Sequence, residues 1–231
     1  MDFRDRHIVV TGGTGALGRA VVGALLGRGA SCHVPYIVAA EAQHFPHRGH
    51  ERVRLVALGS LADEAAVTAL YSGVSPLWAS IHIAGGFAMS PLAQTGKAAL
   101  MAQLEMNLVS CFLCCRAAVQ AMTGAGGRIV NVAARPALEP RLGAGMTAYT
   151  ASKAGVAALT QALAQEVAAA GILVNAVVPS IMDTPANRKD MPKADHAAWP
   201  KVEEVAATIL FLASPDNQVT RGALVPVYGR S

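Results

Sequence analysis

The feature that most restricts the fold lies near the N-terminus. A short apolar run, His7–Thr11, passes directly into Thr11-Gly12-Gly13-Thr14-Gly15-Ala16-Leu17-Gly18, and an Ala/Leu-rich stretch, Ala16–Arg28, follows at once. Gly13, Gly15 and Gly18 satisfy G-x-G-x-x-G, a spacing that lets the backbone turn tightly and approach a pyrophosphate. The helix that opens there presents unpaired N–H groups and the positive end of its dipole to an anion. Strand, glycine turn and helix in this order predict a dinucleotide site lined by Thr11, Gly12, Gly13, Gly15, Ala16, Leu17 and Gly18.

The same alternation continues along the chain. Strands are expected at His7–Thr11, Ser31–Val38, Arg52–Leu58, Trp78–Ala84, Arg128–Ala133, Ile172–Val178 and Ala223–Tyr228. Helices are expected at Ala16–Arg28, Asp63–Tyr71, within Gly96–Met122, and at Ala148–Ala169 and Val202–Ala213, with Ser60 or Asp63 capping the second. Pro35 is unusual for a central strand and marks an end or an irregularity. Strands separated by helices predict an α/β fold: one doubly wound Rossmann domain over 1–231, with a central parallel sheet of about seven strands flanked by helices. A length of 231 residues suits one such domain. Pro179–Pro200, rich in proline and charge, is the long loop expected to cover the site.

Composition excludes several classes. With 53% hydrophobic and only 5% aromatic residues, the chain is no disordered polymer, and its core must be aliphatic. The net charge is +4, but Lys and Arg are scattered rather than striped, so no nucleic-acid partner is expected. No uninterrupted apolar run reaches about 20 residues, and Met1–Val10 lacks a signal-type apolar region, so no membrane span and a cytoplasmic location are expected. Cys32, Cys111, Cys114 and Cys115 form no regular disulfide framework, which fits a reducing compartment. The last three fall at helical spacing and are read as buried packing, not a metal site, which would need more ligands. His44, His47 and His50 recur every third residue, but Pro46 and Gly49 break the stretch into an ordinary loop.

Tyr149 and Lys153 stand four apart and share one helix face. A phenol of ordinary pKa about 10 is a poor acid or base near neutrality. A nearby ammonium favours the phenolate, which makes the pair a tuned proton donor to a carbonyl-like group receiving hydride.

Together these motifs resemble the short-chain dehydrogenase/reductase family over essentially the whole chain. Ala84-Gly85-Gly86 resembles the family's Asn-Ala-Gly, and Asn107 resembles the helix asparagine of its proton relay. Val174–Pro179 is similar to the strand and loop beside the nicotinamide, with Thr184 where the carboxamide or phosphates are touched. The resemblance implies NAD or NADP as cofactor, a small-molecule substrate, and a homodimer or homotetramer built on Gly96–Met122 and Ala148–Ala169. It implies Tyr149, Lys153 and Asn107 as catalytic residues. It adds Tyr36, Ser60, Leu61, Ala84, Gly85, Gly86, Pro179 and Thr184 to the cofactor contacts. Phe87, Arg135 and the Pro179–Pro200 loop are candidates for substrate contact.

The chain also departs from the family. Ala16 replaces the second glycine, Ile83 replaces an Asn, Ser60 stands where an Asp often holds the adenine, and Ala134 stands where the catalytic serine is expected. Loss of that donor removes an effect of about 3 kcal/mol in a well-organised site. An acid at the end of the second strand would signal NAD, but Cys32–Ile37 contains none, and Glu41 lies 23 residues after Gly18. Arg48 and His33 are candidates for a 2′-phosphate, so the cofactor choice stays open. The serine-less fifth strand, Phe87 after the glycines, and Met182–Pro192 continuing to Trp199 resemble dihydropteridine reductases, which points to an activated quinonoid acceptor. The alternative is a nicotinamide-binding sensor or scaffold with impaired catalysis, suggested by Ala134 and the absent ribose acid.

Overall fold

The computed structural model describes residues 1–122, 124 and 126–231. In chain order the elements are β1 (His7–Thr11), α1 (Ala16–Leu26), β2 (Ser31–Tyr36), α2 (Ala39–Gln43), β3 (Val53–Ala57), α3 (Glu64–Ser72) and β4 (Leu77–His82). They continue with α4 (Lys97–Leu104), a π-helical turn (Glu105–Val109), α5 (Ser110–Ala121), β5 (Gly127–Val132) and α6 (Arg135–Leu138). The chain closes with α7 (Thr147–Glu166), β6 (Ile172–Pro179), α8 (Pro185–Asp190), α9 (Val202–Ala213) and β7 (Leu224–Val227).

Among the described residues, seven parallel strands form one sheet in the order β3-β2-β1-β4-β5-β6-β7. Each strand alternates its buried side chains between two layers. Ile8 and Val10 pack with Leu17, Val21 and Leu25 of α1 and with Val205 and Ile209 of α9. Val9 faces the opposite layer with Val67, Leu70, Cys114, Cys115 and Val156. The expected aliphatic two-sided core is therefore present. The order reverses between β1 and β4, and a doubly wound sheet binds ligands outside the carboxyl ends of its strands at that reversal.

Several boundaries differ from the expectation. β2 stops at Tyr36, not Val38, and Ile37 and Val38 are exposed. Pro35 lies inside β2 and pairs with Val56 of β3. Pairing with β1 has already ended at His33, so the missing amide faces an edge where no ladder bond is needed. Ala39–Gln43, within a stretch without a predicted element, forms α2. Asp63, not Ser60, caps α3 and accepts from Ala65 and Ala66 amides. The long helix within Gly96–Met122 is broken into α4 and α5 by the π turn, and Ser110 Oγ donates to the Met106 carbonyl there at 2.7 Å. Lys97–Ala121 is long and apolar enough to cross a membrane, but it packs against α3, α7 and β4 as a layer of the core.

Candidate active site

The glycine loop and the β4 loop meet at the sheet's reversal. Ile83 N donates to the Thr11 carbonyl at 3.1 Å. Gly12 has φ +67, and a Cβ there would stand 2.6 Å from Ala84 N. Gly13 is pressed on Val34, and a Cβ on Gly18 would lie 2.1 Å from the Gly12 carbonyl oxygen. Neighbouring backbone leaves no room for a Cβ at Gly12 or Gly18, so the turn keeps its close glycine geometry at the start of α1, where helix N–H groups are available to a pyrophosphate. These residues fit a dinucleotide.

Glu41, on α2, reaches this mouth. Thr14 Oγ1 donates to Glu41 Oε2 at 2.7 Å, and Arg19 Nε donates to the Thr14 carbonyl at 2.7 Å. Arg48 bonds the Gln43 carbonyl, and His33 faces His7, so neither is turned to the loop. Sequence spacing noted Glu41, but the short helix that brings it back was not legible. Ser60 Oγ accepts from Ala62 N at 3.0 Å and Leu61 is buried, which shapes the turn after β3. Tyr36 ends β2 half-buried.

The π turn aims Asn107 at the β4 loop. Its Nδ2 donates to the Gly86 carbonyl and its Oδ1 accepts from Gly86 N, both at 3.0 Å. Asn107 Nδ2 also donates to Ser152 Oγ at 3.1 Å, and Ser152 donates to the Tyr149 carbonyl at 2.7 Å. Single π turns recur at functional sites because the extra residue re-aims a side chain. A Cβ on Gly85 would stand 2.5 Å from Asn107 Oδ1 and 3.3 Å from Lys153 Nζ, so this glycine is where the three elements converge.

Tyr149 and Lys153 enter from α7. The Tyr149 ring packs edge-on against Phe87, with centroids 5.0 Å apart. Lys153 is buried, and its Nζ donates to the Val132 carbonyl at the end of β5 at 2.8 Å. Burial pushes the Tyr149 phenol up to about 12 and the Lys153 ammonium down to about 8. The expected lowering of the phenol by the ammonium is not seen in this arrangement. The Val132 carbonyl holds the charge, and desolvation governs the ring. Ala134 follows β5 buried, without a hydroxyl to offer.

Arg135, expected at the substrate, is engaged elsewhere. It pairs with Glu139 at 3.0 Å, donates to the Ser231 carbonyl at 3.0 Å and stacks over Tyr228. Pro179 ends β6 buried, and Thr184 caps α8 by accepting from Asn187 N at 3.2 Å. The Pro179–Pro200 segment is structured. Asp183 N donates to the Pro200 carbonyl at 2.9 Å, and Arg188 pairs with Asp183. Phe87, 61% exposed, offers apolar surface beside Tyr149, and Met89, 67% exposed, lies near Gly145 ahead of α7.

The glycine turn, the clamped Ala84–Gly86 loop and the Tyr149–Lys153 helix thus meet in one place on a doubly wound parallel sheet. A sequence profile described as short chain dehydrogenase matches residues 6–195, and the chain belongs to that family. It is 31% identical to the (2S)-[(R)-hydroxy(phenyl)methyl]succinyl-CoA dehydrogenase subunit BbsD of Thauera aromatica, over 99% of this chain and 97% of that protein. It is 34% identical to cis-4-hydroxycyclohexanecarboxylate dehydrogenase of Sinomonas cyclohexanicum, over 98% and 96%. A solved short chain oxidoreductase from Pseudomonas aeruginosa PAO1, described as containing an atypical catalytic center, superposes with a TM-score of 0.89 at 25% identity, over 99% of this chain and 98% of that one.

Proposed function

We propose that the protein is an NAD(H)-preferring oxidoreductase that passes hydride to or from a quinonoid or carbonyl carbon, with Tyr149 as the sole side-chain proton donor. The convergence of Tyr149, Lys153 and Asn107 on the Gly85–Gly86 loop carries this reading. A nicotinamide supplies or accepts the hydride when bound. Thr11–Gly18 would hold its pyrophosphate, Ala84–Gly86 and Pro179–Thr184 would bind the nicotinamide end, and Lys153 would hold its ribose. Tyr149 holds the proton at its phenolic oxygen, and Phe87, packed edge-on against its ring, offers the substrate an apolar surface. Because Ala134 offers no hydroxyl to polarise a ketone, an already electrophilic acceptor suits the site, as the dihydropteridine reductase-like features suggest. The two named relatives are dehydrogenases of hydroxylated acids or thioesters, which brings cyclic ketones and alcohols into the range to be tested. Met101, Met106 and Phe112, exposed on Lys97–Ala121, support a homodimer or homotetramer through that helix face. Four free, buried cysteines support a cytoplasmic setting.

Glu41 supports NAD. A carboxylate fixed by Thr14 can accept both hydroxyls of a ribose, whereas a 2′-phosphate would meet like charge. Like charges set together in a binding site cost several kcal/mol. NADH should therefore bind more tightly than NADPH, and Glu41→Gln should narrow the ratio by about tenfold or more. Fluorescence titration with both cofactors tests this, and equal affinities in the wild type would sink it. Turnover is then followed by reduced-nicotinamide absorbance with quinonoid dihydropterin, quinones and cyclic ketones. If cofactor binds but nothing turns over above a Tyr149→Phe control, the protein is a sensor and not an enzyme.

A further inference from the structure

A second cluster of reactive side chains lies behind the site, in the layer between the sheet and α5. His82 is the last residue of β4, and Cys111 and Cys115 are one turn apart on the buried side of α5. One donor atom from each lies within 4.8 Å of the others, and all three residues are buried. From these placements we propose that His82, Cys111 and Cys115, with Asn131, form a buried binding site for a thiophilic d10 cation, zinc(II) by charge and donor number.

Four observations support the assignment. Cys115 Sγ stands 3.5 Å from His82 Nδ1. Zinc bound at about 2.3 Å to sulfur and about 2.0 Å to nitrogen, with tetrahedral angles, puts two such donors about 3.5 Å apart. The far nitrogen of the ring is provided for. His82 Nε2 lies 2.7 Å from Ser80 Oγ, which lies 2.6 Å from the Tyr71 hydroxyl. A ligating imidazole needs such a partner to accept its other N–H and fix its tautomer. Asn131 Oδ1 is 2.8 Å from His82 Nδ1 and 3.5 Å from Cys115 Sγ, and Asn131 Nδ2 is anchored on Thr160 Oγ1 at 2.9 Å. That oxygen accepts the ring N–H when no ion is bound; an ion would replace this proton and the two thiol protons, with the carbonyl oxygen moving back by about 0.5 Å to serve as fourth donor. Two thiolates and two neutral ligands balance a dication, so the ion can sit in a dry interior without residual charge.

Cys111 and Cys115 lie at i and i+4, and the ring comes from the strand beneath them. The ion would therefore pin the end of β4, and with it the Ala84–Gly86 loop, to α5. Neighbouring Cys114 belongs to the same buried layer but not to this donor set. None of these side chains takes part in the hydride or proton transfer itself; the ion would act on that site only through the position of the Ala84–Gly86 loop and through the charge that Cys111 presents to Lys153.

Metal analysis of the full chain, purified without chelators, tests it directly. About one zinc per chain is expected, lost in Cys111→Ala, Cys115→Ala and His82→Asn and retained in Cys114→Ala. Refolding the wild type with cobalt(II) should give near-ultraviolet thiolate charge-transfer bands and the visible bands of a tetrahedral ion. Where a cysteine variant fails to fold, His82→Asn and the cobalt spectrum decide. Copper(I) at the same stoichiometry, measured by competition with a copper(I) chelator, keeps the site and replaces the ion. A chain that carries no metal as purified, and after refolding with zinc(II), cobalt(II) or copper(I) shows neither bound ion nor a shift in Tm, overturns the proposal.

Discussion

Tyr149→Phe is expected to lower kcat/KM by roughly 100- to 10,000-fold, the range for loss of a positioned general acid or base. Cofactor affinity should change little. The ring itself packs on Phe87 with centroids 5.0 Å apart, and phenylalanine preserves that contact, so the substitution removes only the hydroxyl. The loss should fall towards the upper end, because Ala134 provides no second hydroxyl to take over the proton. The pH dependence follows from the same group. Reduction needs the phenol, which at about 12 is fully protonated at neutrality, so the reductive rate should be flat there. Oxidation needs the phenolate, so its rate should climb about tenfold per pH unit until the phenol of the ternary complex titrates. Steady-state kinetics in both directions, with fluorescence titration of NADH on the variant, measures each part. A variant within tenfold of wild type would move the proton transfer to another group.

Why that hydroxyl depends on its surroundings was only partly legible in the sequence. The spacing of Tyr149 and Lys153 placed both on α7, and the glycine pattern placed the cradle at the first βα junction. Both are local signals, carried by helical periodicity and by the backbone freedom of glycine. The direction of Lys153 Nζ is set by the Val132 carbonyl, a contact between α7 and β5 that no spacing encodes. Arg135 shows the same limit from the other side. It is a candidate substrate contact by sequence, yet the fold gives it Glu139, Ser231 and Tyr228.

Local chemistry also hid two useful exceptions. Pro35 argued for the end of β2, but a strand extending past its neighbour tolerates a missing amide. Glu41 fell beyond the strand by count, and only the short helix α2 returns its carboxylate to Thr14. The cysteines were legible as buried helix spacing. The histidine that completes their set comes from β4, 29 residues before Cys111, so no local motif could announce it. Periodicity reports which face a residue takes, and tertiary packing decides which distant residue meets it there.

The second large effect concerns the cradle, and two glycines of one motif should respond differently. A Cβ on Gly18 would stand 2.1 Å from the Gly12 carbonyl oxygen and 2.5 Å from Gly13 Cα. Both obstacles are backbone, so neither can rotate away, and the turn or the start of α1 must move. Overpacking of this kind costs about 1–3 kcal/mol, and displaced amides no longer converge on the pyrophosphate. Gly18→Ala should therefore lower Tm by several degrees, about what 1–3 kcal/mol produces in a domain of this size. It should also weaken NADH binding by at least about tenfold, since each 1.4 kcal/mol lost is a factor of ten. At Gly15 an added Cβ would meet only the Gly12 carbonyl oxygen, at 3.4 Å, in a residue with negative φ. Gly15→Ala should keep the fold, with a Tm close to wild type. Thermal unfolding and NADH titration of the two variants side by side make the comparison. Equal tolerance at both positions would mean that the loop relaxes freely, and that its shape is imposed by bound cofactor instead of by the packing of Gly18 on Gly12 and Gly13.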